Sequence, residues 1–81
     1  MNLINPTELN VAMLRKKVNA SDMAKAIQKS RVSFDKKKFG QVDFSATEIY
    51  KLSQELDLTI EDVNIIFFDG KLPNGKKNTK T

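Results

Sequence analysis

Apolar residues recur at helical spacing along most of the chain, in short runs separated by polar segments. In the clearest run, Ile49, Leu52 and Leu56 fall on one face of a helix. Four other runs carry apolar stripes, namely Leu9, Ala12 and Met13; Met23, Ala24 and Ile27; Phe34 alone; and Val63, Ile66 and Phe67. The pattern predicts five short helices, and their tight connections leave no room for a sheet of any size.

Residues that cap helices stand where these runs begin. The candidates are, in chain order, Asn19, Ser30, Ser45 and Thr59. Ser45 and Glu48 have the spacing of a capping box, and the other two boxes use aspartate. The first helix is introduced by Pro6, and Gly40 ends the third. The predicted helices cover residues 7–17, 19 to about 28, 31–38, and the runs that follow Ser45 and Thr59, with a loop over 39–44.

The expected core consists of the large apolar residues on these stripes. Its main members are Phe34, Ile49, Leu52, Leu56, Val63 and Ile66. At the end of the fifth helix, Phe67 is expected to complete the core. Phe68 lies about a hundred degrees further around the helix and is expected to be exposed. An exposed Phe68 beside Ile65 is a candidate contact for a second protein chain.

A chain of 81 residues has room for one small domain. We expect an N-terminal arm over residues 1–5, a helical domain over 6–68 and a tail over 69–81. The tail contains four lysines, two glycines and almost no apolar residue, so it is expected to be mobile.

Composition excludes several classes of function. The chain has no cysteine and no histidine, which removes disulfides, thiolate metal sites and the commonest general base. No glycine-rich phosphate loop or metal-ligand cluster stands out, and capping accounts for most carboxylates. We therefore expect neither an enzyme nor a cofactor. No run approaches the roughly 20 apolar residues of a membrane span, and no signal peptide is evident, which favours a cytoplasmic location.

The charges are distributed unevenly along the chain. Residues 15–38 contain nine basic residues against two acidic ones, a net charge of +7. Residues 43–62 contain six acidic residues against one lysine, a net charge of −5. A basic face is typical of a nucleic-acid-binding protein, although a lysine-rich solvated helix surface has the same composition.

The segment 23–34, with sequence MAKAIQKSRVSF, resembles the helix-turn-helix of the phage Cro/repressor family. Ala24 stands where that family places a small residue at a close helix crossing. Ile27 and Phe34 stand at its buried positions, and Ser30 stands at the start of its recognition helix. The resemblance extends over roughly residues 9–68, and the ending IIFF is similar to that of small phage regulators. It implies an all-α, five-helix repressor-like domain that binds operator DNA.

Two positions depart from the family pattern. Gln28 occupies a turn position that is often glycine, where a left-handed conformation has a cost. An aliphatic residue is often found near Lys37 or Lys38, whereas the nearest large apolar residue in this chain is Phe39. These departures affect the register of base contacts more than the fold.

The resemblance also assigns roles to individual residues, because a recognition helix inserts its first turns into the major groove. The expected base contacts are Arg31, Val32, Ser33 and Lys36. The expected phosphate contacts are Asn19, Lys29, Ser30, Lys37 and Lys38. Arg31 can donate two hydrogen bonds to guanine, and Val32 can pack against a thymine methyl group. Solvated lysines and arginines, and purely capping roles for Asn19 and Ser30, are the alternatives.

The expected partner is a double-stranded DNA operator, bound by a homodimer because one recognition helix reads few base pairs. The main alternative is a protein-binding modulator or antirepressor that acts by associating with a partner repressor. Its acidic second half and the apolar residues Ile65 and Phe68 would form the contact surface.

Overall fold

The computed structural model describes residues 3–71, which form five α-helices and no strand. The helices are α1 (Pro6–Lys16), α2 (Ala20–Ala26), α3 (Arg31–Lys38), α4 (Ala46–Leu56) and α5 (Ile60–Phe68). The all-α prediction is confirmed. The bounds differ from the predicted ones by one residue at α1, and α2 ends two residues before Gln28. The predicted mobile tail falls, apart from its first three residues, outside the described part of the chain.

Reciprocal capping boxes fix the start of three helices. Asn19 and Thr59 each accept a backbone hydrogen bond from the aspartate three residues later, whose carboxylate accepts the cap residue's own N–H. Ser45 and Glu48 do the same at α4. The predicted boxes are therefore confirmed. The cap of α1 was not predicted: it is Asn5, whose Oδ1 accepts the N–H of Glu8 at 3.1 Å.

The five helices share one core. Each helix is too short to be stable alone, so its stability depends on packing in this core. Helix α1 packs against α4 and α5, and α2 packs against α3 and α4. The buried apolar residues are Leu9, Ala12, Met13, Met23, Ala24, Ile27, Phe34, Leu52, Leu56, Ile66 and Phe67. Ile49 and Val63, which were expected in the core, lie half-buried against it.

A row of aromatic rings crosses this core. The Phe34 and Phe44 ring centroids lie 6.1 Å apart, and the Phe44 and Phe67 centroids lie 5.4 Å apart in a T-shaped contact. Phe44 belongs to the predicted loop, which is confirmed as non-helical, but the side chain packs against the core. The row thus joins α3, the α3–α4 connection and α5.

The exposure predicted for Phe68 is wrong. Phe67 is buried as expected, but Phe68 is half-buried against the core, and it lines a groove together with Leu3 and Ile4. The physical reason is that the N-terminal segment folds over the end of α5, where the Asn5 N–H donates to the Ile66 carbonyl at 2.7 Å. Ile65 is 45% exposed.

Candidate nucleic-acid interface

Helices α2 and α3 are joined by a tight turn with the hydrogen bonds of a Schellman motif. The Lys29 N–H donates to the Ala24 carbonyl at 2.9 Å, and the Gln28 N–H donates to the Lys25 carbonyl at 3.0 Å. Gln28 has φ 59°, so it adopts the left-handed conformation that such a turn requires. Ser30 then caps α3 by accepting the Ser33 N–H at 3.1 Å. This geometry is that of a helix-turn-helix.

Because a left-handed conformation is costly for a residue with a Cβ atom, Gln28→Gly is expected to stabilise the domain. Removal of the strain is opposed by the greater freedom of glycine in the unfolded chain, so the net gain should be about 0.5–1 kcal/mol. Urea unfolding followed by circular dichroism measures it. Gln28→Ala keeps the Cβ atom and is the control that should show no gain. A destabilised Gln28→Gly variant would contradict the prediction.

The first turns of α3 present polar and apolar side chains to solvent. Phe34 is fully buried and seats the helix on the core. On the outward surface, Arg31 and Lys36 are exposed, and Val32 is 64% exposed. Ser33 is half-buried beside its hydrogen bond to the Ser30 cap. The structure therefore brings the four predicted base-contacting residues together on one short helix, with three of them open to solvent.

Arg31 has a neighbour on its own helix. Its Nε atom lies 3.4 Å from Oδ2 of Asp35, one turn further along. Both side chains remain substantially exposed, and an exposed pair of this spacing contributes little to stability. Because the contact uses Nε, the two terminal nitrogens of the guanidinium remain available to a base edge or a phosphate.

Three of the predicted phosphate contacts, Asn19, Lys29 and Ser30, are exposed and lie at or next to the starts of α2 and α3. Asn19 and Ser30 both act as caps, and their side-chain oxygens already accept a backbone N–H. Lys38 is half-buried at the other end of α3, with its Nζ atom 5.2 Å from the centre of the Phe39 ring. Phe39 itself is 60% exposed, so it does not replace an aliphatic core residue.

Lys37 differs from the other lysines of this helix because its ammonium group has a carboxylate partner among the described ion pairs. The Nζ atom lies 2.6 and 2.7 Å from the two carboxylate oxygens of Glu48. The two side chains are only 13% and 8% exposed. The family resemblance placed Lys37 among the phosphate contacts, and the sequence pattern placed Glu48 only in a capping box, so this ion pair was missed.

The environment of Glu48 changes its acidity. Burial alone raises the pKa of the carboxyl group, but other effects outweigh it. The hydrogen bonds from Lys37 and from the Ser45 N–H, together with the charges of Lys37 and Lys29, hold the pKa below its ordinary value. Glu48 is therefore ionised at neutral pH.

A lowered pKa in the folded state means that ionised Glu48 stabilises the fold above the ordinary pKa of 4.5. This contribution is lost as the pH falls below 4.5 and through the lower folded pKa. Urea midpoints measured across this range should fall more steeply in the parent than in Glu48→Gln. The exposed Glu55→Gln is the control and should keep the steep parental profile. Identical profiles for the parent and Glu48→Gln would contradict the prediction.

The two candidate protein-contact residues, Ile65 and Phe68, lie on α5, which packs against α1 and α4. They line two different grooves, Phe68 one that includes Leu3 and Ile4, and Ile65 one that includes Ala12 and Arg15. Within residues 3–71, no three or more acidic side chains converge in a group that could hold a metal ion. In the same part of the chain, no helix is long and apolar enough to cross a bilayer.

Comparison with protein families gives a match that covers most of the chain. Residues 8–69 match the model of the Cro/C1-type HTH DNA-binding domain. Neither the search of curated proteins nor the search of solved structures gave a match. The family is one of DNA-binding domains and is typically non-enzymatic. Its span includes α2, the turn and α3, where the helix-turn-helix geometry is found, and the chain therefore belongs to the Cro/C1-type HTH DNA-binding domain family.

Proposed function

We propose that the protein is a transcriptional regulator of the Cro/phage-repressor type, which binds a specific operator sequence with α3 in the major groove. The observation that carries the proposal is the exposed set of Arg31, Val32 and Lys36 on a helix seated by the buried Phe34. An arginine fork matches guanine, and a valine matches the methyl group of thymine. Such a regulator would act on DNA in the cytoplasm of its bacterial host.

The charges of the same helix-turn-helix support the phosphate contacts. Lys29 and Lys38 lie at opposite ends of α3, so both can approach the backbone that flanks the groove. Asn19 and Ser30 stand at the starts of α2 and α3. Backbone N–H groups in the first turn of a helix can donate hydrogen bonds to a phosphate. Because several lysines surround the helix, binding should weaken steeply as salt is raised.

A homodimer is part of the proposal, since a single helix of this length reads only a few base pairs. A two-fold symmetric site would then contain two half-sites about one helical turn apart. We place the contact between protomers on α5, where Ile65 is 45% exposed. Sedimentation of the protein with and without its selected duplex measures the stoichiometry.

Selection from a random duplex library tests the function directly. The parent protein should enrich one sequence, and titration at fixed salt should show a marked preference for that duplex over a scrambled one. Absence of any enriched sequence would contradict operator binding. The exposed Ile65 would then favour the second candidate, a modulator that associates with a partner repressor.

A further inference from the structure

The attachment of α3 to the rest of the domain is uneven. In the described chain, α2 is the helix that packs extensively against α3. On the side of α4, two described side-chain contacts of α3 are the Phe34–Phe44 ring contact, which reaches the α3–α4 connection, and the Lys37–Glu48 ion pair, which joins the last turn of α3 to the first turn of α4. The ion pair spans eleven residues of sequence, across the whole α3–α4 connection.

The acceptor side of this contact is held firmly. Oε1 of Glu48 also accepts the Ser45 N–H at 2.9 Å, and the Glu48 N–H donates to Ser45 Oγ at 3.1 Å. The carboxylate that Lys37 meets is therefore fixed to the α4 N-terminus by the capping box. Hydrogen bonds of a charged donor to a fixed carboxylate are directional, whereas an apolar contact in the same place would tolerate sliding.

The contacts of the Lys37 ammonium group also argue against a phosphate contact. Lys37 uses both carboxylate oxygens of Glu48, and its side chain is 13% exposed. To reach a phosphate it would have to leave a nearly buried carboxylate without its counter-ion, which is strongly unfavourable. Lys36 and Lys38, on either side of it, have no such partner among the described ion pairs.

We propose that Lys37 is a positioning residue for the recognition helix and not a phosphate ligand. Its pairing with Glu48 sets the angle of α3 against α4, and this angle determines which base edges Arg31 and Lys36 reach. The effect on base reading rests on the proposed function, whereas the effect on α3 itself can be measured without DNA.

A double substitution, Lys37→Met with Glu48→Gln, isolates the ion pair. It removes both charges at once, so no buried charge is left unpaired and the net charge of the protein is unchanged. Glutamine can keep the capping box, and methionine keeps the length of the lysine stem. Lys38→Met is the matched control, because it removes a neighbouring lysine charge from the same turn of α3.

Amide hydrogen exchange of the free proteins provides the first readout. In the double variant, protection of the α3 amides should fall by on the order of tenfold relative to the amides of α1 and α5. Lys38→Met should leave this ratio as in the parent. If protection falls equally in all helices, the pair contributes only to overall stability and the proposal is overturned.

DNA titration over a series of salt concentrations provides the second readout. On the duplex selected by the parent, the double variant should keep the parental salt slope and lose on the order of tenfold in preference over a scrambled duplex. Lys38→Met should lower the slope by about one and keep the preference. A slope lowered in the double variant as in Lys38→Met would make Lys37 a phosphate ligand and overturn the proposal. If the parent selects no sequence, operator binding fails, while the exchange ratio still decides whether the pair positions α3.

Discussion

Phe34→Ala is expected to lower the free energy of unfolding by about 3–5 kcal/mol, the cost of a cavity in place of a fully buried phenylalanine. Phe34 has no exposed surface, and its ring meets Phe44 in the row that continues to Phe67. Small domains are stable by only about 5–15 kcal/mol, so much of the stability should be lost. Urea unfolding followed by circular dichroism gives the difference.

Phe39→Ala is the matched control for this prediction. Phe39 follows α3 immediately and is 60% exposed, so its removal should change the free energy of unfolding by less than about 0.5 kcal/mol. An equal loss in the two variants would show that burial of Phe34 does not hold α3 in place. The comparison tests the core role assigned to Phe34 without any reference to DNA.

The parts of the fold that could be predicted from the sequence are those determined by neighbouring residues. A capping box requires only a polar cap and an acid three residues later, and this spacing is visible at Asn19, Ser45 and Thr59. The left-handed conformation at Gln28 was harder to predict, because glutamine, unlike glycine, does not favour a positive φ. It is fixed by the helices on either side of the turn.

Apart from the Asn5 cap of α1, the features that were missed depend on residues far apart in the chain. The partial burial of Phe44 follows from the positions of α3 and α5, and that of Phe68 follows from the N-terminal segment. The pairing of Lys37 with Glu48 has the same origin, since the two residues stand eleven positions apart on different helices. Periodicity describes one helix at a time and contains no information about such contacts.

The charge pattern along the sequence has a similar limit. Glu48 belongs to the acidic run of residues 43–62, yet its carboxylate lies against Lys37 at the end of the basic recognition helix. Counting charges by segment places Lys37 on the surface that attracts DNA. Its partner and its burial remove it from that surface, and Arg31, Lys36 and Lys38 remain as the cations of α3.

Among these cations, Arg31 should have the largest effect on sequence discrimination. Arg31→Ala is expected to lose about 1–3 kcal/mol of preference at one operator position, if the guanidinium donates two hydrogen bonds to guanine. In the proposed complex the first turn of α3 carries Arg31 toward the groove, and the contact of Arg31 with Asp35 at 3.4 Å is made by Nε. Titration against the selected duplex and single-position variants of it measures the effect.

Lys38→Ala is the control for Arg31→Ala, because both remove one positive charge from α3. Lys38 lies in the last turn of α3. In the proposed complex this turn faces the DNA backbone, so the loss of Lys38 should weaken binding to all duplexes similarly and lower the salt slope by about one. If Arg31→Ala also weakens binding to every duplex by the same factor, Arg31 contacts phosphate and not a base. The base-reading residues would then have to be sought at Val32 and Lys36, further around the same exposed face.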